Sequence, residues 1–121
     1  MPPDPKDMAR LWDMLDAAKS ATEFIHELHY EDFLRDRKTR NAVERNLEIL
    51  GEAARRVSPD LRQSLPQIPW KSIIGLRNVL AHEYGEIRHE VLWIVVREKL
   101  GPLIQEIIDL GADNPPGDAA N

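Results

Sequence analysis

Within the segment Leu76-Arg77-Asn78-Val79-Leu80-Ala81-His82-Glu83-Tyr84, four polar groups that can bind phosphate or move protons on it interrupt a largely apolar stretch. Cleaving RNA without a metal needs three things: a group to take the 2′-hydroxyl proton, a group to protonate the departing 5′-oxygen, and a cation for the charge growing on phosphorus. Histidine suits the first two near neutral pH, and the planar fork of arginine suits the third. His82 and Arg77 are therefore the candidate catalytic residues, with Asn78 and Tyr84 as the other polar groups of the set. On one continuous helix Asn78 and His82 share a face, as do Arg77 and Tyr84, whereas Arg77 and His82 diverge by about 140°. Either the helix ends between those two residues or a second subunit completes the site. In a dimer, two His82 side chains in one cleft would supply acid and base from the same residue type. The plainer reading, two surface residues flanking a helix end, fits the spacing equally well.

The elements that must position this set read as helices. From Asp7 to about Leu28, Met8, Leu11, Trp12, Leu15, Ala18, Thr22 and Ile25 form one stripe of 3.6-residue period, with Pro5 ahead and Asp7 as the expected N-cap. Tyr30 to Lys38 reads as a turn or a single helical turn anchored by Phe33 and Leu34. Thr39 is the expected cap of a second long helix whose apolar stripe is Val43, Leu47, Leu50, Ala54 and Val57, and whose opposite face carries Arg40, Glu44, Glu48, Glu52 and Arg55. Ser58 and Pro59 mark the cap and first turn of a short helix through Leu65. Trp70 to about Ala81 is the third main helix, where Gly75 is expected to admit a close neighbour and Gly85 to mark an end or bend. The last helix runs from about Arg88 to Leu110, and Pro102 should kink or split it near Gly101. Its apolar band (Val91, Leu92, Val95, Val96, Leu100, Leu103, Ile104, Ile107, Ile108) is wide enough to predict a second packing surface, hence a homodimer. No period-2 alternation bounded by turns occurs, and VLWIVV continues into a helical pattern. The expectation is an all-α, up-and-down bundle of four to five helices, one domain over 1–110, with residues 111–121 as a disordered tail.

Other constellations point to less. Glu23, His26, Glu27 and His29 offer metal-ligating types, but Tyr30 stands where a helical zinc motif needs its second histidine, so surface residues near a helix end are expected and no metal site is assigned. Trp12, Trp70 and Trp93 are assigned to packing, and His89 carries no signal. There is no glycine-rich phosphate loop, and no cofactor is expected. The 121 residues, 42% hydrophobic, suffice for one core, and the absence of cysteine excludes disulfides and thiolate chemistry. No signal peptide or membrane span is expected, which predicts a soluble cytoplasmic protein. The net charge of -5 disfavours loose, charge-driven nucleic-acid binding, so any RNA contact must be local.

Arg77, four residues, His82, one residue, Tyr84 is the Arg-x4-His-x-Tyr motif of the HEPN superfamily, and IPWKSIIGLRNVLAHEYG resembles the HepT toxins. RNLEILGEAARRVSPDLR and the opening helix look like the same family, so the resemblance covers about Met8 to Ile108. It implies a HEPN-type helical homodimer acting as a metal-independent ribonuclease, with Arg77 and His82 catalytic, Asn78 supporting and Tyr84 at the edge of the site. It also implies a type VII toxin-antitoxin pair, in which a minimal nucleotidyltransferase antitoxin of the MntA kind neutralises the toxin by adding AMP to the tyrosine matching Tyr84. A 2′,3′-cyclic phosphate is then the expected first product. Two other classes remain open on sequence: a catalytically idle helical subunit docking a nucleotidyltransferase, and a purely structural helical dimer. Intact Arg77, His82 and Tyr84 favour the enzyme over both.

Overall fold

A computed structural model of the protein describes residues 4–82 and 89–112. Among them all regular structure is helical: α1 (Pro5–Ile25), α2 (Tyr30–Arg35), α3 (Arg37–Arg56), α4 (Pro59–Ser64), α5 (Trp70–His82), α6 (His89–Ile94), a π-helical stretch (Val95–Lys99) and α7 (Leu100–Asp109). Because α6, the π stretch and α7 follow one another without a break, they form one long irregular helix. The all-α expectation holds, with α2 a helix in its own right.

α1 lies along α3, α5 packs on α3, and the long last helix packs on α1. The core between them takes from the stripes legible in sequence Leu11, Leu15, Ala18 and Ile25 of α1, Val43, Leu47, Leu50 and Ala54 of α3, and Leu92, Val96, Leu100, Leu103 and Ile107 of the last helix, and adds Met14, Ala17, Ala21 and Ala53, which the stripes omit. Phe33, fully buried, is the anchor that ties short α2 to this core, with its ring centroid 5.3 Å from that of Trp93. Trp70 is buried and donates its indole N–H to the Leu65 carbonyl at 3.0 Å, so its polar atom is satisfied. Both tryptophans have the packing roles expected of them.

Two caps differ from expectation. α1 starts at Pro5 and is capped by Asp4, whose carboxylate accepts from the Lys6 amide at 2.8 Å. Asp7 is instead buried and reaches across the fold, accepting from the Ser58 amide at 2.9 Å and the Ser58 hydroxyl at 2.7 Å. α3 is capped by Asp36, which accepts from both the amide and the hydroxyl of Thr39 at 3.1 and 2.7 Å. For α3 the carboxylate of Asp36 is a stronger acceptor than the Thr39 hydroxyl, whereas for α1 Pro5 takes the first helical position behind Asp4 and Ser58 engages Asp7. Ser58 does cap α4, accepting from the Leu61 amide at 3.3 Å while donating to Asp7.

Pro102 has no N–H for the Glu98 carbonyl four residues back. The helix meets this by widening just ahead of it: over Val95–Lys99 the backbone is π-helical, and the Leu100 N–H reaches back five residues to the Val95 carbonyl. α7 ends at Gly111, whose φ of +82° is left-handed and whose N–H donates to the Ile108 carbonyl at 2.9 Å. Ala112 beyond it is buried. The rest of the expected tail lies outside the described residues, as does Gly85. Gly75 departs from expectation: among the described residues a side chain built there would meet nothing within 4 Å.

Candidate functional site

α5 carries positions 77, 78 and 82 on one unbroken helix that runs through His82. This removes one of the two geometric alternatives, since the helix does not end between Arg77 and His82. Successive residues turn by about 100°, so positions 77 and 82 lie about 140° apart around α5. Asn78 is exposed on this helix. The side chains of Arg77 and His82, and the whole of Tyr84, lie outside the described residues.

The surroundings of the helix are described. A groove of about 650 Å³ runs between α4 and α5, with Pro59, Arg62, Trp70, Lys71, Ile74 and Asn78 in its walls. Its α5 wall follows the rows of the helix: positions 71, 74, 75 and 78 share one side, and position 82 falls one turn beyond 78 in the same row. The groove therefore leads along α5 toward the end that carries the motif. Arg62 and Lys71 have no ion-pair partner among the described residues, and the Arg62 Nε is buried without a hydrogen-bond partner. Among the described residues no carboxylate lines this groove.

The charges of α1 and α3 are arranged otherwise. Arg10 pairs with Asp13 and Arg45 with Glu48, each at 3.4 Å, and Glu52 takes Arg55 at 2.7 Å and Arg56 at 3.0 Å. Burial, followed by the neighbouring charge of Glu48, holds the Glu44 carboxyl above its ordinary range. Asp36 is held below the carboxylate range, first by the Thr39 hydroxyl and then by the Thr39 amide.

The His29 backbone N–H donates to Asp32 at 3.0 Å at the start of α2, and His26 follows the end of α1. Among the described residues no group of three or more histidine and acidic side chains could hold a metal ion. Likewise no described helix is long and apolar enough to cross a membrane. Arg62 and Lys71 were not singled out from the sequence. Lys71 could have been, since 71, 75, 78 and 82 are spaced four, three and four along one helix row. Arg62 could not, because its proximity to α5 is tertiary.

Comparison with known proteins gives a consistent answer. The family described as ribonuclease HepT-like matches residues 14–110. A protein of Methanocaldococcus jannaschii named a putative RNase is 39% identical over 99 residues, covering 82% of this chain and 91% of its own. A second protein of that organism, named in the same way, is 37% identical over 105 residues, 87% of each chain. A protein of Thermococcus cleftensis named probable ribonuclease HepT is 40% identical over 93 residues, 77% of this chain and 84% of its own. No solved structure gives a significant match.

Proposed function

The chain belongs to the HepT-like ribonuclease family, and from that premise we propose that it is a metal-independent RNA endonuclease, the toxin of a type VII toxin-antitoxin pair acting in the cytoplasm. The observation that carries the reading is the Arg77-x4-His82-x-Tyr84 sequence set, which falls inside the family-matched segment, with positions 77 and 82 both on α5. In this reading His82 takes the proton of the 2′-hydroxyl as that oxygen attacks the adjacent phosphorus. Arg77 stabilises the charge on the phosphorane, and the 5′-oxygen leaves with a proton from a second acid. The products are a 2′,3′-cyclic phosphate and a 5′-hydroxyl. Asn78, one turn from position 82 on the same row, supports the substrate or the histidine.

The second acid is the His82 of another copy. The 140° divergence of positions 77 and 82 on an unbroken helix supports a site shared between two chains. So does the last helix, where Val91, from its apolar band, stays 40% exposed and Ile94, outside that band, 45%. A MntA-like nucleotidyltransferase is the antitoxin. The Tyr84 hydroxyl attacks the α-phosphorus of ATP, pyrophosphate leaves, and the resulting AMP places a bulky anion where RNA phosphate must sit.

The test is cleavage of RNA by purified protein in EDTA, comparing wild type with His82→Ala and with protein adenylylated on Tyr84. Wild type should cut, and both altered forms should be slower by about 10²-fold or more. Cleavage by His82→Ala at the wild-type rate would refute the assignment. An RNA pool left intact by wild type would favour a subunit that docks a nucleotidyltransferase.

A further inference from the structure

The groove between α4 and α5 has three features that together define what it can hold. Pro59, Trp70 and Ile74 give it apolar walls, Arg62 and Lys71 give it two cations, and Asn78 gives it an amide at the end nearer the motif. Its volume of about 650 Å³ is that of a ligand site, within the usual range of a few hundred to about a thousand. The buried Arg62 Nε lacks an acceptor, and a buried donor left unpaired calls for one from outside the described residues. Gly75 leaves the α5 wall open, with no atom within 4 Å of where a side chain would begin. Cations free of carboxylates beside an apolar wall match a nucleotide, whose phosphate takes the charge and whose base takes the apolar surface.

We infer that this groove is the RNA-binding channel of the chain, holding single-stranded nucleotides that flank the scissile phosphate, with Arg62 and Lys71 on backbone phosphates and the bases against Pro59, Trp70 and Ile74. The inference rests on the ribonuclease reading for the choice of RNA as ligand. It answers the difficulty posed by the acidic chain, because the contact is confined to two cations in one groove rather than spread over the surface. The direction of the row from Lys71 through Asn78 to position 82 brings a bound strand toward the proposed histidine.

The experiment measures fluorescence anisotropy of a fluorescein-labelled, mixed-sequence 2′-O-methyl oligoribonucleotide with the full chain in EDTA; methylation of the 2′-oxygen prevents its attack. Arg62→Gln combined with Lys71→Gln should raise Kd about tenfold or more, and Arg62→Lys should retain most of the affinity. Gly75→Leu is the second probe: it replaces glycine by a good helix former over open space, so the fold should keep or gain stability while the channel is filled. Its Kd should rise at least about tenfold with an unchanged or higher Tm. Wild-type affinity in both the double variant and Gly75→Leu would overturn the inference. So would unchanged RNA binding with loss of adenylylation by the antitoxin, which would make the groove a protein-docking site. Cleavage of unmodified RNA, followed in parallel, separates the two readings. Cutting that ignores these substitutions sinks the channel alone, whereas groove-dependent binding without any cutting sinks the activity alone.

Discussion

Asp7 is the buried polar residue whose loss should loosen the groove, because it joins the start of α1 to the start of α4 and so holds one wall in place. It is buried, and its two carboxylate oxygens accept from the Ser58 amide at 2.9 Å and hydroxyl at 2.7 Å. Hydrogen bonds to a charged group contribute about 1.5–3 kcal/mol each, and two that share one serine are not independent. Asp7→Ala should therefore cost about 3 kcal/mol, part of it from the Ser58 amide left without an acceptor. With an unfolding entropy of about 2.1 cal/mol/K per residue over 121 residues, that is a drop of roughly 12 °C in Tm. Asp4→Ala is the control: it removes an exposed cap on the same helix, worth about 1 kcal/mol or about 4 °C. Both are read by thermal unfolding at one fixed protein concentration, since any self-association couples stability to concentration. Should Asp7→Ala melt no lower than Asp4→Ala, the lock between α1 and α4 would be worth no more than a surface cap. Ser58→Ala in the Asp7→Ala background should then cost only what its cap on Leu61 supplies.

Three further outcomes follow from particular residues. The raised carboxyl of Glu44 means that the native state holds its proton more tightly than the unfolded chain, so its ionisation weakens the fold as pH rises through that range. Glu44→Gln should thus raise Tm at pH 7 by about 2 °C or less, with the gain vanishing below about pH 4; a gain that persists in acid would contradict the burial argument. Asp36 has the opposite sign: its lowered carboxyl supports α3 above the ordinary carboxylate range and loses that support as pH falls, so Asp36→Asn should narrow the difference between Tm at neutral and acid pH. Gly111→Ala meets no steric obstacle but must hold a φ of +82°, and should cost about 1 kcal/mol or about 4 °C; an unchanged melt would show that α7 can end in another way.

The helices were legible because each presents its own apolar period, which picks out most of the buried residues of α1, α3 and the last helix but not Met14, Ala17, Ala21 and Ala53, which widen the buried faces beyond a single stripe. What escaped was whatever depends on a partner distant in sequence. Asp7 has the right type and place for a cap, and only the approach of Ser58, 51 residues away, gives it another use. Pro102 announces a disturbance but not its form, since kink, break and π-turn all answer a missing donor. Gly75 suggested a close neighbour, and it lines the groove instead. For the site itself, residue types and spacing on one helix were readable down to the row shared by positions 78 and 82. Arg62 was not, because it comes from a different helix.

The charge pattern makes one last demand. An acidic chain that binds RNA must keep its own carboxylates away from the phosphate, and α1 and α3 do this in part by pairing carboxylates with arginines one turn away, Arg10 with Asp13, Arg45 with Glu48, and Arg55 and Arg56 with Glu52. Such exposed pairs add little stability, but each neutralises a cation that would otherwise draw a polyanion. Binding should then involve the two groove cations and the arginine of the proposed site, about three phosphates in all. For a single strand each neutralised phosphate contributes about -0.7 to the slope of log affinity against log salt, so the slope should be near -2. Replacing Arg62 by glutamine should make it shallower by about 0.7, whereas replacing Arg45 should leave it unchanged. A wild-type slope of about -4 or steeper would mean that RNA spreads over a broad surface, and the confinement of its contacts to one groove of α5 would be wrong.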